Sequence, residues 1–577
     1  MMRWVLWTVA CCSLAFTFNE LDHRKQYPQD DFVSPVDQQI FLSGTFGELR
    51  PNHFHAGIDI KAKDGKVGQP IYSIADGYIY RIKVQSGGYG NVLYLRHPNG
   101  YTSTYAHLQK FSPEVAAYVK AAQYRKKSFA IELFPTASEF PVRKGQPIGK
   151  LGVSGRSFGP HLHFEIRDAA TEKPINPLLF GFKVRDTRRP RLHEVKVYEL
   201  NDKRETLATK KYNLKQGDTN YWISRDTLLF NAWRVGFGLK AYDHMNGVGN
   251  WNGVYSMDLL QDGKLVYNFE METFSFDESR FINSHLDYEE QITKKSYFNR
   301  LYTLPGNKLS IYQGRENNGV VNLSKDKASL IEMIVKDLAG NISKVKFWAK
   351  RKADIAPPAS AATFNYILPY NEENIIRNNV FEAHFPKGSF YQNLYLQYRS
   401  SAERSNGYYS SVHHLHNFKT PVHRYFTIRI KPSFLPDELR SKAFVAYCDT
   451  KTNKISNYGG KWKDGMLEAR VRDLGDYCIM VDTETPTITP VDFSSNMKGY
   501  NRMSFKITDN METGARAKDL RFKALVDGQW ILMTYDAKKD IITHRFDERI
   551  GPGQHQLYLE VTDDRGNVTT LERSFVR

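Results

Sequence analysis

The stretch Gly159-Pro160-His161-Leu162-His163-Phe164-Glu165 alternates polar and apolar side chains. In an extended strand successive side chains point to opposite faces, so His161 and His163 share one face while Leu162 and Phe164 share the other. The alternation therefore predicts a half-buried strand whose polar face carries both imidazoles. Such a face is well placed to bind a metal ion.

Two further segments supply donor groups of the same kind. His55-Ala56-Gly57-Ile58-Asp59 adds one nitrogen and one oxygen, and Thr104-Tyr105-Ala106-His107-Leu108 adds another histidine. Protein ligands of the types His, His and Asp leave a fourth position open to water, which is typical of a catalytic zinc site rather than a structural one. The segments together favour a metal centre over unrelated structural histidines.

In this order, the segments resemble those of the lysostaphin/LytM-type zinc metallopeptidases, which cut peptide cross-links in bacterial cell walls. The intervening framework is also similar to that family, in the segments Gly44-Thr45-Phe46-Gly47, Gly68-Gln69-Pro70-Ile71, Ala75-Asp76-Gly77, Gly88-Tyr89-Gly90-Asn91, Lys144-Gly145-Gln146-Pro147-Ile148-Gly149 and Asn176-Pro177. The resemblance extends over residues 40–180 of a chain of 577.

The resemblance implies that His55, Asp59 and His163 are the zinc ligands. It implies that His107 and His161 flank the zinc-activated water. An imidazole, with an ordinary pKa of about 6.5, suits either proton transfer or donation to the developing oxyanion. Which histidine takes which role is left open by the sequence.

The sequence also gives expectations for Glu165 and for the other histidines. Glu165 shares a strand face with His163, so it either orients that ligand or forms a surface salt bridge. His53 is expected to line the cleft or to be exposed, because a fourth protein ligand would displace the catalytic water. His97 precedes the turn Pro98-Asn99-Gly100 and should end a hairpin strand. A distant cluster fits no standard metal spacing and is expected in a solvated loop; it comprises His413, His414 and His416.

The composition favours strands over helices, with 34 tyrosines, 35 phenylalanines and many short alternating runs. We predict an all-β, multidomain protein: a LytM-like antiparallel β-sheet catalytic domain with a short helical insertion, followed by immunoglobulin-like β-sandwich modules. The insertion should run from Ser112 to Phe129, with Ser112 as N-cap and Pro113 in the first turn. It either forms a wall of the substrate cleft or packs against the outer sheet.

The length of 577 residues predicts several domains. Linkers are expected at Asp354–Ala362 and Thr483–Pro490. Asp-x-x-Gly-Asn turns beginning at Asp337 and Asp563 resemble the last hairpin of bacterial immunoglobulin-like sandwiches. The predicted division is a signal peptide at 1–18, a LytM-like zinc peptidase domain at 19–182, a β-sandwich module at 183–352, a β-rich module at 353–482 and an immunoglobulin-like module at 483–577.

The segment Met1–Phe18 carries one early charge, Arg3, before an apolar run that is too short to span a bilayer. It predicts a secretory signal, with lipid attachment at Cys11 or Cys12 as the weaker alternative. No later segment is apolar enough for a transmembrane helix. The protein is therefore expected in the periplasm or cell envelope, with secretion or outer-membrane association left open.

Export also limits the partners. The net charge of +17 and pI of 9.3 suit an anionic envelope surface, although a solvated lysine-rich surface explains them equally well. Nucleic acid is excluded because the protein leaves the cytoplasm and carries no recognition motif. Cys448 and Cys478 follow the signal, and they form either a disulfide or two buried thiols. The oligomeric state is not indicated by the sequence.

The predicted function is that of an exported zinc endopeptidase that hydrolyses cross-links or stem peptides of peptidoglycan. The alternatives are a non-catalytic wall-binding or regulatory protein that keeps the fold, and an adhesin with a vestigial peptidase unit. Degenerate relatives would be expected to lack metal-binding residues, and this chain retains all of them. The bond cut is left open among a D-Ala–diaminopimelate cross-link, a glycine bridge and a non-wall protein. Because every catalytic residue precedes Gly181, a fragment ending there should keep zinc and some hydrolysis.

Overall fold

The computed structural model describes residues 26–217, 219–352, 363–402, 407–449, 454–514 and 519–577. The predicted signal peptide with Cys11 and Cys12, and the linker predicted at 354–362, lie outside these ranges. Strands dominate, as the all-β prediction requires. None of the helices in these ranges has both the length and the apolarity to cross a membrane.

The first region, residues 26–182, is built on a nine-stranded antiparallel sheet with His161–Asp168 near its middle. The strands of its main path run in the order Leu42–Gly44, Ile58–Lys61, His161–Asp168, Tyr101–Ala106, Val92–Arg96, Gly77–Val84 and Ile131–Leu133. Pro141–Val142 and Pro174–Ile175 pair at its sides. A smaller sheet contains Pro70–Tyr72, Pro147–Lys150 and Lys110–Phe111, and a separate hairpin joins Leu49–Arg50 to His53–Phe54. Short 3₁₀ turns occupy Lys63–Gly65 and Pro177–Phe180.

The predicted helical insertion is confirmed as the helix Pro113–Lys126. Ser112 precedes it, but the Ser112 side chain makes no capping hydrogen bond. Val115, Val119 and Ala122 are buried in the same apolar core as the main sheet. Of the two expectations for this helix, packing against the sheet is therefore the correct one.

His97 ends a hairpin strand, as predicted, between Val92–Arg96 and Tyr101–Ala106. Its ring is buried, with Nδ1 2.8 Å from the carbonyl oxygen of Asp76 and Nε2 2.7 Å from the hydroxyl of Ser103. It holds the turn and takes no part in the metal motifs.

The second region, residues 183–352, contains a five-stranded and an eight-stranded sheet that share one core. The first comprises Thr206–Asn213, Arg191–Leu200, Arg234–Tyr242, Asn299–Arg300 and Val321–Asn322. The second comprises Lys215–Gln216, Asn220–Trp222, Ile342–Arg351, Ser329–Lys336, Ser256–Gln261, Lys264–Glu270, Tyr312–Arg315 and Thr227–Phe230. Its helical segments are Ser279–Phe281, Ile282–His285, Tyr288–Lys294 and Glu316–Gly319.

The third region, residues 363–482, is also built of sheets. One is the pair Tyr366–Leu368 and Leu394–Leu396. A five-stranded sheet comprises Asn374–Arg377, Phe381–Phe385, Phe426–Ile430, Met466–Val471 and Lys461–Lys463. A six-stranded sheet comprises Tyr398–Ser401, Val412–Leu415, Gly475–Val481, Ala443–Asp449, Lys454–Asn457 and, from the next region, Glu512–Thr513. A 3₁₀ segment spans Asp437–Lys442.

The prediction of a solvated loop at the histidine cluster was wrong for His413 and His414. Both are buried within the strand Val412–Leu415, and His416 follows it half-buried. Each of these two rings has a partner on a neighbouring strand: the Tyr398 hydroxyl lies 3.0 Å from His413 Nδ1, and Asp476 Oδ1 lies 2.8 Å from His414 Nδ1.

Cys448 and Cys478 lie on the paired strands Ala443–Asp449 and Gly475–Val481. Their sulfur atoms are 3.9 Å apart. That distance is well beyond the disulfide bond length of about 2.05 Å, so the structure presents them as neighbouring thiols.

The fourth region, residues 483–577, consists of two four-stranded sheets. One contains Thr487–Asp492, Arg502–Thr508, Ile541–Arg545 and Thr534–Asp536, and the other Gln529–Trp530, Arg521–Val526, Gln554–Thr562 and Val568–Val576. Both Asp-x-x-Gly-Asn turns connect hairpin strands, as expected: Ser329–Lys336 with Ile342–Arg351, and Gln554–Thr562 with Val568–Val576.

The regions pack on one another around the first. Phe46, Phe54 and Ala56 of the first region are buried in the core of the second. The fourth region contacts the helix Pro113–Lys126 of the first region, where Lys120 and Asp547 form an ion pair of 2.5 Å. These contacts surround the face of the main sheet that carries the metal motifs.

Candidate active site

The main sheet brings the predicted site residues together on one face. His163 lies directly opposite Asp59 on one neighbouring strand and opposite Ala106 on the other. Opposed residues in antiparallel strands project to the same side. The side chain of Asp59 therefore lies beside that of His163. His107 directly follows Ala106, the last residue of the strand Tyr101–Ala106.

His55 is positioned by the hairpin before it. The backbone amide of Gly47 donates to the carbonyl of His55 at 2.9 Å, and the amide of His55 donates to the carbonyl of Glu48 at 3.0 Å. The ring Nδ1 of His55 lies 2.8 Å from the carbonyl oxygen of Thr45. Because a carbonyl can only accept, Nδ1 carries the proton and Nε2 presents a lone pair to the site.

Three donor atoms converge at this point. The distances are 3.0 Å from His55 Nε2 to Asp59 Oδ1, 2.9 Å from His55 Nε2 to His163 Nδ1, and 2.9 Å from His163 Nδ1 to Asp59 Oδ1. Tetrahedral ligands about 2.0 Å from a zinc ion are about 3.3 Å apart. The triangle is within a few tenths of an ångström of that geometry.

The protonation pattern calls for a cation at the centre of the triangle. His163 Nε2 lies 2.8 Å from Glu165 Oε1, so this nitrogen donates and Nδ1 of a neutral His163 ring is a lone pair. The lone pairs of two imidazoles and one carboxylate oxygen then face one another. A proton cannot satisfy all three, whereas a metal ion bound by them can. The donor set therefore fits a metal such as zinc.

Glu165 is fully buried, with 0% of its surface exposed. It contacts His163, accepts a short hydrogen bond from Tyr89 and pairs with Arg167 Nη2 at 2.6 Å. The Tyr89 ring also stacks on His163 with centroids 5.0 Å apart. Of the two expectations for Glu165, orientation of His163 is the one that this geometry supports, and an exposed salt bridge is wrong.

Arg50 is a site residue that the motifs did not indicate. Its Nη2 donates to Asp59 Oδ2 at 2.6 Å, on the side of the carboxylate away from the histidines. Its Nε also lies 3.5 Å from Glu48. Gly44 makes room for the pair, since a Cβ there would stand 2.7 Å from Asp59 Oδ2 and 2.8 Å from Arg50 Nη2. Arg50 thus fixes the carboxylate so that Oδ1 faces the site.

His107 and His161 flank the triangle with their ring centroids 4.9 Å apart. The Nδ1 atom of His107 lies 2.8 Å from the carbonyl of Ser154, and Nδ1 of His161 lies 2.9 Å from the carbonyl of Gly159. The backbone carbonyls thus fix the orientation of both rings through Nδ1, and the two Nε2 atoms remain available for proton transfer. The Nε2 atom of His161 lies 3.5 Å from Asp59 Oδ1.

The loop that holds His107 is packed tightly against the loop that carries Tyr89. Gly155 has φ +69°, and a Cβ on it would lie 2.3 Å from the amide nitrogen of Gly90. Lys538 of the fourth region reaches this loop, donating to the carbonyls of Val153 and Ser157 at 2.9 Å each. The support of His107 thus includes a contact from a distant part of the chain.

Burial and neighbouring carboxylates shift the pKa values of the four histidines at this site. It lowers the pKa of His107 to about 3 and that of His55 to about 4. Burial also lowers the pKa of His161. For His163, burial favours the neutral ring, but contacts with Asp59 and Glu165 outweigh it and raise its pKa. The carboxylates at His163 thus create the negative potential that attracts a cation.

The site opens into a cleft of about 1930 Å³ whose walls come from three regions. The second region contributes Trp251, which is 53% exposed, and the third contributes Arg472. His53 lines the cleft with an exposed side chain, as predicted. The walls from the second and third regions were not foreseen, because no motif links them to the metal-binding segments.

Comparison with known proteins identifies two parts of the chain. The model of Peptidase family M23 matches residues 53–124 and 136–177. The model of a Zu5-like domain matches residues 365–482, which is most of the third region.

Curated relatives match in the first part. The chain is 38% identical over 124 residues to DD-carboxypeptidase/endopeptidase Mpg of Neisseria meningitidis serogroup B, covering 22% of each chain. It is 34% identical over 111 residues to peptidoglycan DD-endopeptidase ShyC of Vibrio cholerae serotype O1, covering 19% of each. The chain thus spans about a fifth of the length of these relatives.

Among solved structures, a zinc-containing peptidase from Vibrio cholerae is 26% identical, covering 25% of this chain and 37% of that chain with a TM-score of 0.19. The catalytic domain of lysostaphin from Staphylococcus simulans is 22% identical, covering 25% of this chain and 93% of that chain with a TM-score of 0.18. The family match falls on the strands and turns that bring His55, Asp59, His107, His161 and His163 together. The first region therefore contains a Peptidase family M23 domain.

Proposed function

We propose that the protein is an exported, zinc-dependent endopeptidase that hydrolyses the peptide cross-links or stem peptides of peptidoglycan. The observation that carries this proposal is the convergence of His55 Nε2, Asp59 Oδ1 and His163 Nδ1 within 3.0 Å of one another. The envelope is the compartment in which this substrate is found. The M23 match and the relatives named as endopeptidases support the same reaction.

In this proposal His55, Asp59 and His163 hold zinc. When bound, zinc supplies Lewis-acid polarisation of the scissile carbonyl and activation of water for attack. Glu165 accepts a hydrogen bond from His163 Nε2, which leaves Nδ1 free to bind the metal, and Arg50 donates to Asp59 Oδ2, which leaves Oδ1 free to do so.

His107 and His161 are the proposed catalytic pair. Their Nδ1 atoms are occupied by backbone carbonyls, so each ring offers Nε2 at a fixed orientation. Burial keeps both rings neutral near pH 7. Because a backbone carbonyl can only accept, each Nδ1 carries the proton and each Nε2 of a neutral ring is an acceptor. One imidazole can therefore take a proton from the attacking water and pass it to the leaving amine, and the other donates to the oxyanion once its Nε2 is protonated.

The charge of the cleft supports an acidic peptide as substrate. Its walls carry a set of cationic side chains, namely Arg50, Lys61, Arg156, Lys240, Arg280, Lys294, Lys295 and Arg472. Of these, Lys240 pairs with Glu194 and Lys294 pairs with Glu290. The carboxylates among its lining residues are Glu48, Asp59 and Asp277, of which Asp59 and Glu48 contact Arg50. Peptidoglycan stem peptides bear free carboxylates, so the excess of positive charge favours their binding.

Digestion of purified sacculi tests the proposal. The zinc-loaded full-length protein should release soluble fragments whose masses identify the bond that is cut. His163→Ala should release none, while His53→Ala serves as a cleft-lining control that retains release. If the zinc-loaded wild type binds sacculi without releasing fragments, the protein is a wall-binding protein and the proposed reaction is wrong.

A further inference from the structure

A second group of converging carboxylates lies at the junction of the first and second regions. Asp186 precedes the strand Arg191–Leu200, Asp243 follows the strand Arg234–Tyr242, and Asp337 begins the Asp-x-x-Gly-Asn turn. One oxygen atom of each lies within 4.8 Å of the others. No residue of the M23 site belongs to this group.

Two of these carboxylates each have one buried oxygen atom without a hydrogen-bond partner among the described residues. Asp243 is 2% exposed, and within the described part of the chain no donor lies within hydrogen-bond distance of its buried Oδ1. The same holds for Oδ2 of Asp186. Burying a carboxylate oxygen without a partner is costly, so such atoms on two members of a carboxylate cluster call for a ligand.

The neighbouring groups do not supply the missing hydrogen-bond donors. Asp337 accepts hydrogen bonds from the backbone amide and side chain of Asn341 at 2.8 and 2.7 Å. Arg188 is the nearby cation, but its Nη1 donates to the backbone carbonyls of Met245 and Val248. Burial raises the pKa of Asp243 to about 8, and the charges of Asp337 and Asp186 add to the increase.

The arrangement recurs at corresponding positions in the fourth region. Asp482 precedes the first strand of that region, Asp509 follows the strand Arg502–Thr508, and Asp563 begins the second Asp-x-x-Gly-Asn turn. One oxygen of each again lies within 4.8 Å of the others. Because the cluster occurs at corresponding positions in two β-rich regions, it is a repeated structural feature rather than a result of chance packing.

We propose that Asp186, Asp243 and Asp337 bind a hard divalent cation of the calcium class. Oxygen donors alone favour calcium or magnesium over zinc. Three protein carboxylates favour calcium, because calcium accepts many oxygen ligands in flexible geometry, whereas magnesium demands near-ideal octahedral geometry and is usually bound through one or two carboxylates and several waters.

Such an ion would join the M23 domain to the wall of its cleft. Asp186 lies on the chain that leaves the first region, and the backbone of Asp243 pairs with that of Asn252. Between them, the loop packs Met245 and Val248 into the core of the first region and presents Trp251 to the cleft. The cation would hold this loop and the junction in one arrangement.

Calcium titration of the zinc-loaded full-length protein, in buffer freed of other divalent ions, tests the site without using hydrolysis. Calorimetry should detect binding with a dissociation constant between about 10⁻⁷ and 10⁻³ M, and Tm should rise with calcium concentration. Asp243→Asn should bind one calcium ion fewer and show a smaller rise in Tm. Asp326→Asn, which changes an exposed turn carboxylate of the same region, should match the wild type.

The stability in calcium-free buffer separates loss of the site from misfolding. Because Asp243→Asn removes a buried carboxyl group that Asp186 and Asp337 repel when it is ionised, its Tm without calcium should equal or exceed that of the wild type. Asp186→Asn provides a second variant with the same expected loss. The proposal is overturned if the wild type binds no calcium, if it binds only zinc or magnesium, or if both variants bind as many calcium ions as the wild type.

Discussion

The metal centre and the walls of its cleft are built in different ways. The centre uses residues of the first region alone, and each functional side chain is held by at least one further contact, such as Thr45 to His55 and Glu165 to His163. The walls use residues that are distant in sequence, such as Trp251 and Arg472. In the proposed function, the M23 domain therefore supplies the chemistry, and the later regions shape the cleft through which a peptide would reach it.

The largest effect is expected from removing a proposed zinc ligand. His163→Ala or Asp59→Ala should lose zinc and all measurable sacculus hydrolysis, because two remaining ligands hold the metal poorly. Elemental analysis and fragment release should be measured on the same preparations, with His53→Ala as the control. Full zinc occupancy in either ligand variant would contradict the assignment.

A smaller loss should follow when the flanking histidines are removed. His107→Ala and His161→Ala should keep most of the zinc but lose at least about a hundredfold in turnover, the scale of a lost oxyanion donor or acid–base group. Measuring both zinc content and turnover distinguishes a zinc ligand from a catalytic group. A variant that loses zinc as completely as His163→Ala would be a ligand, and retained activity in both variants would rule out the proposed mechanism.

Weakening the hydrogen bond between Glu165 and His163 should have an intermediate effect, seen as a loss of zinc affinity. Glu165→Gln keeps the shape of the side chain but weakens its hydrogen bond to Nε2, so zinc affinity should fall by about 10- to 100-fold. Competition with a zinc chelator measures the change. Tyr89→Phe is the matched control, because it removes a hydrogen bond to the same carboxylate and leaves the bond to His163 in place. Equal zinc affinity in Glu165→Gln and the wild type would show that Glu165 does not tune the ligand.

The sequence could predict the centre because its signals are local. Strand alternation places His161 and His163 on one face, and the M23-like motifs supply His55, Asp59 and His107. Arg50 was missed, because a hairpin arginine has no distinguishing pattern until its contact with Asp59 is seen. The buried His413 was misjudged for a related reason, since its partner Tyr398 lies on another strand.

The walls explain why the expectation for a fragment ending near Gly181 must change. Every proposed catalytic residue precedes that point, but Phe46 and Phe54 are buried in the core of the second region. Removing that region would expose both rings beside the segment that carries His55. The division between domains drawn from linkers and turns therefore does not mark a unit that is expected to be stable alone.

A wall residue should change binding more than chemistry. Trp251 lines the cleft, and its ring stacks on His193 at 5.2 Å and leaves 53% of its surface exposed. Trp251→Ala should raise KM about threefold to tenfold, the range for loss of one aromatic contact, with zinc content and kcat unchanged. Trp348→Ala, another exposed tryptophan of the same region that does not line the cleft, is the control. A loss confined to kcat would mean that the wall also positions the catalytic groups.

The smallest effect is expected at the contact between the fourth region and the centre. Lys538 donates to the carbonyls of Val153 and Ser157, which flank the Ser154 carbonyl that holds His107. An exposed contact of this kind contributes about 0.2–1 kcal/mol, so Lys538→Ala should lower kcat by about 1.4- to 5-fold with KM and zinc content unchanged. Lys538→Arg should restore part of the loss, because it keeps the charge and the donors. Lys539→Ala, at the next exposed position, should have no effect. If Lys538→Ala leaves kcat unchanged, the fourth region does not reach the chemistry, and the separation between centre and walls is sharper than the contacts indicate.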